Sequence, residues 1–167
     1  MVGLHPEGPT NRSKVRFRLS DLVQPVQVTL RVLDPGVSPP VAAHAGDAGL
    51  DLQARREVVL LPGERAAIPT GIAIAIPSGY AGLVLPRSGH ARKSGVGLVN
   101  SPGLIDSGYR GEIEVLLINH GHEAVMFRPG DRIAQLVIIA VPVITWIPTE
   151  SLPESDRGQR GFGSTGR

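Results

Sequence analysis

Short apolar, β-branched runs recur along the chain between breaks rich in glycine and proline, which is the punctuation of an all-β protein. The pattern predicts strands over residues 26–32, 50–54, 57–61, 65–69, 72–76, 81–85, 97–99, 111–119, 124–127 and 133–141. Within them, Ile113-Glu114-Val115 and Ala73-Ile74-Ala75-Ile76 alternate larger with smaller or polar side chains. Strands do this when their two faces lie at different depths of a sandwich or barrel. One helix is predicted, and it is short: Ser88 as N-cap, then Gly-His-Ala-Arg-Lys-Ser, then Gly95 as the stop.

Two segments fall outside this body. Residues 1–24 are polar, bear proline and glycine and show only weak periodicity, so they are read as an unstructured extension. From Thr149 the apolar content collapses into Glu, Ser, Pro, Asp, Arg and Gly, which marks 149–167 as a flexible arm and leaves 25–148 as the barrel domain.

Length and composition narrow the classes of function. A chain of 167 residues suits one domain. The formal charge is +2 and the 17 basic residues are scattered, so no nucleic-acid-coating surface is expected, while a small anionic ligand is allowed. The absence of cysteine excludes disulfides and thiolate metal sites and fits a reducing compartment, the cytoplasm by default. The start of the chain has no apolar signal-like core, and the longest apolar run, 136–141, is far short of the ~20 residues of a spanning helix. No membrane partner is expected.

Four stretches can carry chemistry. In Pro86-Arg87-Ser88-Gly89 a strand runs into a helix start, so first-turn N–H groups and a fork-shaped guanidinium are available to phosphate oxygens. In the stretch from Asn100 to Glu112 two turn signals, Ser-Pro-Gly and Asp-Ser-Gly, bracket Leu104-Ile105 and describe a small hairpin with Asp106 at a strand end. Asp106 is either a general base for a water or a turn residue capping its own backbone. Tyr109, one of few aromatics, stands three residues away in a turn, where a ring can serve as a stacking platform. Asp47 and Asp51 would share one strand face at i and i+4, either approaching a hydrated cation or holding backbone amides. In the run from Arg128 to Leu136 a Pro-Gly turn feeds a strand that carries Gln135 opposite Ala134 and Leu136.

The tail holds Gly161-x-Gly163-x-x-Gly166, the spacing of a dinucleotide-binding loop, with no helix after it to receive a pyrophosphate. In order, Asp47-Ala-Gly-Leu-Asp51-Leu, Pro86-Arg-Ser-Gly89, Asn100 to Glu112, Gly130-Asp-Arg-Ile-Ala-Gln-Leu136 and Arg157 to Gly166 resemble the five-motif series of the homotrimeric dUTPases. The resemblance runs from about Leu30 to Arg167. It implies a jelly-roll-type β-barrel assembled as a homotrimer with active sites shared at subunit boundaries. It also implies hydrolysis of dUTP to dUMP and pyrophosphate with Mg²⁺, which limits uracil in DNA and supplies dUMP for thymidylate synthesis.

The residue roles follow from the same resemblance. Asp106 would orient and deprotonate the water that attacks the α-phosphorus. Tyr109 would pack under the deoxyribose and exclude a 2′-hydroxyl, while Asn100 with the backbone around Gly103 and Ile105 would read uracil. Arg87, Ser88, Gly89 and Gln135 would hold the triphosphate, with Asp51 meeting Mg²⁺ through its waters. The tail becomes a lid in which Phe162 stacks on uracil and Arg157, Ser164 and Thr165 reach the phosphates.

Two departures stand out. Arg160 replaces the first of a glycine pair in the tail motif, and His90 occupies a position that is often aliphatic in the family. Two rivals are the dCTP deaminase branch of the same fold, which would use Glu112 or Glu114, and a non-catalytic nucleotide sensor.

Overall fold

A computed structural model describes residues 25–160; the expected extension 1–24 and the tail from Gly161, with Phe162, Ser164 and Thr165, lie outside the described residues. The elements are β1 (Thr29–Val32), β2 (Leu50–Gln53), β3 (Val58–Leu60), β4 (Arg65–Ala75), β5 (Tyr80–Pro86), α1 (Ser88–Ser94), β6 (Val96–Leu98), β7 (Gly103–Ile105), β8 (Glu112–Asn119), β9 (Val125–Phe127) and β10 (Arg132–Ala140). They form two four-stranded sheets, ordered β1-β4-β8-β6 and β2-β10-β5-β7, and a ribbon of β3 with β9. Every pairing between these strands is antiparallel. The result is all-β, a jelly-roll type of barrel with one short helix.

Alternation places the core. Along β8, Ile113, Val115, Leu117 and Asn119 point inward while Glu114 and Leu116 face out. Their inward partners include Ile68 and Ile72 from β4, Leu52 from β2, Phe127 from β9 and Ile133 from β10, all fully buried. Asn119 is the polar member of this interior. Its amide donates to the carbonyls of Leu60 at 2.9 Å and Glu123 at 2.8 Å, and its Oδ1 accepts the Gly121 N–H at 2.9 Å. A buried amide is tolerable because its hydrogen-bonding groups are matched.

Three expectations are corrected. The strands predicted at 65–69 and 72–76 are one strand, β4, with a bulge at the break. Gly71 sits there at φ 74°, and its N–H is taken by Glu112 Oε1 at 2.7 Å. A side chain from β8 therefore satisfies the amide that the bulge removes from the ladder.

The hairpin expected around Leu104-Ile105 does not form. The strand β7 pairs with β5, whereas β8 pairs with β4 and β6 in the other sheet. The chain leaves one sheet after β6, crosses to β5, and returns as β8.

The helix starts one residue early. Arg87, at φ −88° and ψ 125°, is the N-cap, with no side-chain cap, and Ser88 is already helical. Arg87 is held there by a distant carboxylate, described below. At the other end Gly95 closes the helix in the left-handed conformation at φ 69°, as expected.

After β10, residues 141–160 form no strand or helix. Val143, Trp146, Ile147 and Leu152 on this segment are all highly exposed. Among the described residues no helix is long and apolar enough to cross a membrane.

Candidate active site

One end of the sheet β2-β10-β5-β7 gathers the expected phosphate ligands. Gln135 on β10 is in register with Asp51 on β2 and with Leu85 on β5, and paired residues of adjacent strands share a face. Two residues beyond Leu85, Arg87 brings its Nε to 3.1 Å from Asp51 Oδ1. Arg132, from the start of β10, brings Nη1 to 3.3 Å from Asp51 Oδ2. The Asp51 side chain is only 7% exposed, so its charge is balanced by two guanidiniums instead of water.

The Asp51–Arg87 contact is close but not a well-aimed hydrogen bond: neither Asp51 Oδ1 nor Arg87 Nε has a partner of hydrogen-bond geometry among the described residues. It is a charge contact that steers the arginine, while Arg87 Nη1 donates to the Arg132 carbonyl at 3.3 Å. Helix α1 is fastened beside this pair by His90. Its Nε2 lies 2.8 Å from the Arg132 carbonyl, and its ring meets Phe127 edge-on at 5.1 Å between centroids. Ser88 and Gly89, both exposed, open the helix, where first-turn amides lack intrahelical acceptors.

The expected base- and sugar-reading residues meet elsewhere on the same sheet. A cavity of about 250 Å³ is lined by Asn100, Gly103, Ile105 and Tyr109 together with Val84 and Glu114. Gly103 pairs with Val84 across β5 and β7. A Cβ on Gly103 would lie 3.3 Å from both the Asn100 amide nitrogen and Val84 Cβ, so the glycine keeps the Asn100 side chain close to the strand. Arg87 instead borders a second depression with His90, Asp131 and Arg132. Within one chain, the two groups of residues do not share a pocket.

Asp106 immediately follows β7 and is exposed. The turn after it is closed by the Tyr109 N–H to the Asp106 carbonyl at 3.0 Å. Arg110 Nη1 reinforces the turn through the Ser107 and Tyr109 carbonyls, each at 2.7 Å. Backbone and Arg110 thus perform the capping, and the Asp106 carboxylate is left for other work.

Asp47 does not join Asp51. It precedes β2, in a turn, where it accepts the His44 N–H at 2.9 Å. Arg157 lies in an exposed turn with its Nε on the Arg160 carbonyl, and Arg160 returns the bond to the Arg157 carbonyl, both at 3.0 Å. Nothing local in the sequence marks Arg132 as a contributor to the site. Arg132 stands inside the quoted run before Gln135, but its partner Asp51 is 81 residues away. No local pattern reveals that.

Comparison with known proteins identifies the family. The family model described as dUTPase matches residues 37–166. The deoxyuridine 5′-triphosphate nucleotidohydrolase of Nocardia farcinica is 51% identical over 140 residues, covering 83% of this chain and 85% of that protein. The enzyme of the same name from Bifidobacterium longum (strain DJO10A) is 61% identical over 126 residues, covering 74% and 79%. Among solved structures, a mutant dUTPase of Staphylococcus bacteriophage 80alpha with dUpNHpp matches at a TM-score of 0.79 and 29% identity, covering 84% of this chain and 99% of that one. A mutant dUTPase from phage phi11 of S. aureus, which coordinates a structural Mg(II) ion, matches at a TM-score of 0.71 and 27% identity, covering 77% and 99%. With most of its length matched by the family model and half or more of its aligned residues shared with these relatives, the chain belongs to the dUTPase family.

Proposed function

We propose that the protein is a dUTP diphosphatase that hydrolyses dUTP to dUMP and pyrophosphate. The observation that carries this reading is the single cavity lined by Asn100, Gly103, Ile105 and Tyr109, directly followed in the chain by the uncommitted carboxylate of Asp106. Asn100 and the strand backbone at Gly103 and Ile105 recognise the uracil edge. Tyr109 lies under the deoxyribose. Asp106 accepts a proton from the water that attacks the α-phosphorus, and pyrophosphate leaves.

A carboxylate is a weak base at neutral pH, so its main contribution is to place the water, with charge stabilisation supplied by cations. Arg87, the amides of Ser88 and Gly89, and Gln135 bind the triphosphate. Among the described residues no group of three metal-ligating side chains exists, and Asp51 is a lone carboxylate between two arginines. With so few carboxylates, Mg²⁺ would arrive on the triphosphate and keep its waters, and one of these would reach Asp51 only where Arg87 or Arg132 turns from it to the phosphates. Bound there, Mg²⁺ would supply charge that offsets the phosphates.

The separation of the Arg87 depression from the Tyr109 cavity supports sites completed between subunits of a homotrimer. On this reading, 25–148 is the barrel and 149–167 is the arm that brings Arg157, Phe162, Ser164 and Thr165 over a neighbouring site. The enzyme would act in the cytoplasm, limiting uracil in DNA and supplying dUMP. Pyrophosphate release measured in parallel on dUTP, dTTP, UTP and dCTP tests the proposal. Turnover confined to dUTP is expected. Ammonia release from dCTP would instead favour deamination through Glu112 or Glu114, and binding without turnover would favour a sensor.

A further inference from the structure

Tyr109 is 45% exposed, yet its ring is held in one place. Its hydroxyl donates to the Glu112 carbonyl at 2.9 Å, and the ring lies across the backbone at Gly111. A Cβ built on Gly111 would stand 2.7 Å from Tyr109 Cζ and 3.1 Å from Cε2, and the first of these is closer than carbon atoms pack. Gly111 is not among the glycines with positive φ, so its backbone would accept alanine without strain. What glycine supplies here is the missing side chain beneath the ring.

The carbonyl that receives the hydroxyl is also fixed. Glu112 uses its carboxylate on the Gly71 N–H at 2.7 Å and on Arg55 Nη1 at 3.4 Å, and Arg55 Nε contacts Asp34 Oδ2 at 2.9 Å. A chain of polar contacts thus runs from the bulge of β4 to the acceptor of Tyr109. The ring can leave its place only by losing that acceptor.

We propose that Gly111 is a positioning residue for sugar discrimination. By leaving space for the Tyr109 ring to lie on the backbone, it sets the level of the cavity wall that rejects a 2′-hydroxyl. The inference rests on the reading of Tyr109 given under Proposed function. In Gly111→Ala the methyl displaces the ring toward solvent, the wall recedes, and a ribonucleotide gains room. Because Tyr109 is half-exposed, the ring can move without disturbing the core.

The test is a double-mutant cycle on kcat/KM for dUTP and UTP, with wild type, Gly111→Ala, Tyr109→Ala and the double variant. Wild type should prefer dUTP strongly, and Gly111→Ala should narrow the dUTP/UTP ratio about tenfold or more, chiefly through KM. Adding Gly111→Ala to Tyr109→Ala should change the ratio less than about twofold, since the methyl then has no ring to displace. Tyr109→Phe, which loses the bond to the Glu112 carbonyl but keeps the ring, should weaken the preference less than Tyr109→Ala does.

A wild-type ratio in Gly111→Ala, combined with a lost ratio in Tyr109→Ala, would overturn the role of Gly111 and leave that of Tyr109 standing. Equal effects of the glycine substitution with and without the ring would overturn it too, as would loss of fold in both backgrounds. A wild-type enzyme that does not distinguish the two nucleotides, or a Tyr109→Ala variant that still does, would instead refute the underlying reading of Tyr109.

Discussion

The carboxylate of Asp51 and the guanidinium of Arg87 lie 3.1 Å apart across two elements of the barrel, and the carboxylate is almost sealed from water. Arg132 closes the other side at 3.3 Å. Asp51→Asn removes the charge but keeps the shape, leaving two cations facing each other over a neutral amide. Arg87 then loses its direction, and KM for dUTP is expected to rise by about tenfold or more, the scale of one charge-assisted contact. A lower urea midpoint should accompany it. Arg132 is half-exposed, so the stability loss should fall below the ~3–5 kcal/mol typical of a fully buried pair.

Asp106→Asn should separate binding from chemistry. The turn is closed by backbone and Arg110 instead of by this carboxylate, so the loop is expected to keep its shape. Calorimetry should find dUTP bound with near wild-type affinity while kcat falls by roughly 10²–10⁴, the usual contribution of a positioned base. A near-normal kcat would remove Asp106 from the mechanism.

A chain ending at Asp156 should fold as the full chain does. The described contacts of Arg157 and Arg160 stay within their own turn, so the thermal midpoint should move little. If Arg157 and the tail complete the phosphate site, pyrophosphate release should drop at least about a hundredfold, as when a positioned donor is lost. An unchanged rate would restrict the arm to a passive terminus.

The Asp34–Arg55 pair has a pH signature. The Gly36 N–H, and after it Arg55, hold the Asp34 carboxyl below its ordinary value of 3.8. A depressed folded value means that the stabilisation is complete above the ordinary carboxylate range and is lost as pH falls through the lower folded value. The melting temperature of Asp34→Asn should therefore lie below wild type at neutral pH, and the gap should close as the solution is taken below about pH 4. A gap that persists undiminished at the lowest pH would assign the difference to packing. Both side chains are about one-third exposed, so added salt should shrink it as well.

Much of this architecture was readable locally. The alternation in β8 and the long apolar strand β10 announce their faces, and the glycine stop at Gly95 announces the end of α1. Reading failed where a distant partner decides. Pro69 and Gly71 look like a strand break until Glu112 supplies an acceptor from β8. Ser88 looks like a cap until Asp51 draws Arg87 into that place. The pairing of β7 with β5 was missed for a similar reason, because two adjacent turn signals suit a hairpin as well as a crossing between sheets. In the site, residue types at motif spacings named Asn100, Asp106 and Tyr109. The space under Tyr109 depends on what Gly111 lacks, and absence leaves no pattern to read.

Trp146 is the chain's one tryptophan, and it stands 85% exposed on the segment beyond β10. The barrel itself contains no indole, so ultraviolet emission excited in the tryptophan band comes from that segment alone. Any event that covers it, whether a neighbouring subunit or a closing tail, moves the indole from water into an apolar setting and shifts its emission to shorter wavelength. The protein therefore carries a built-in optical label on the segment beyond β10, and dilution or nucleotide addition can be followed by fluorescence without any attached dye.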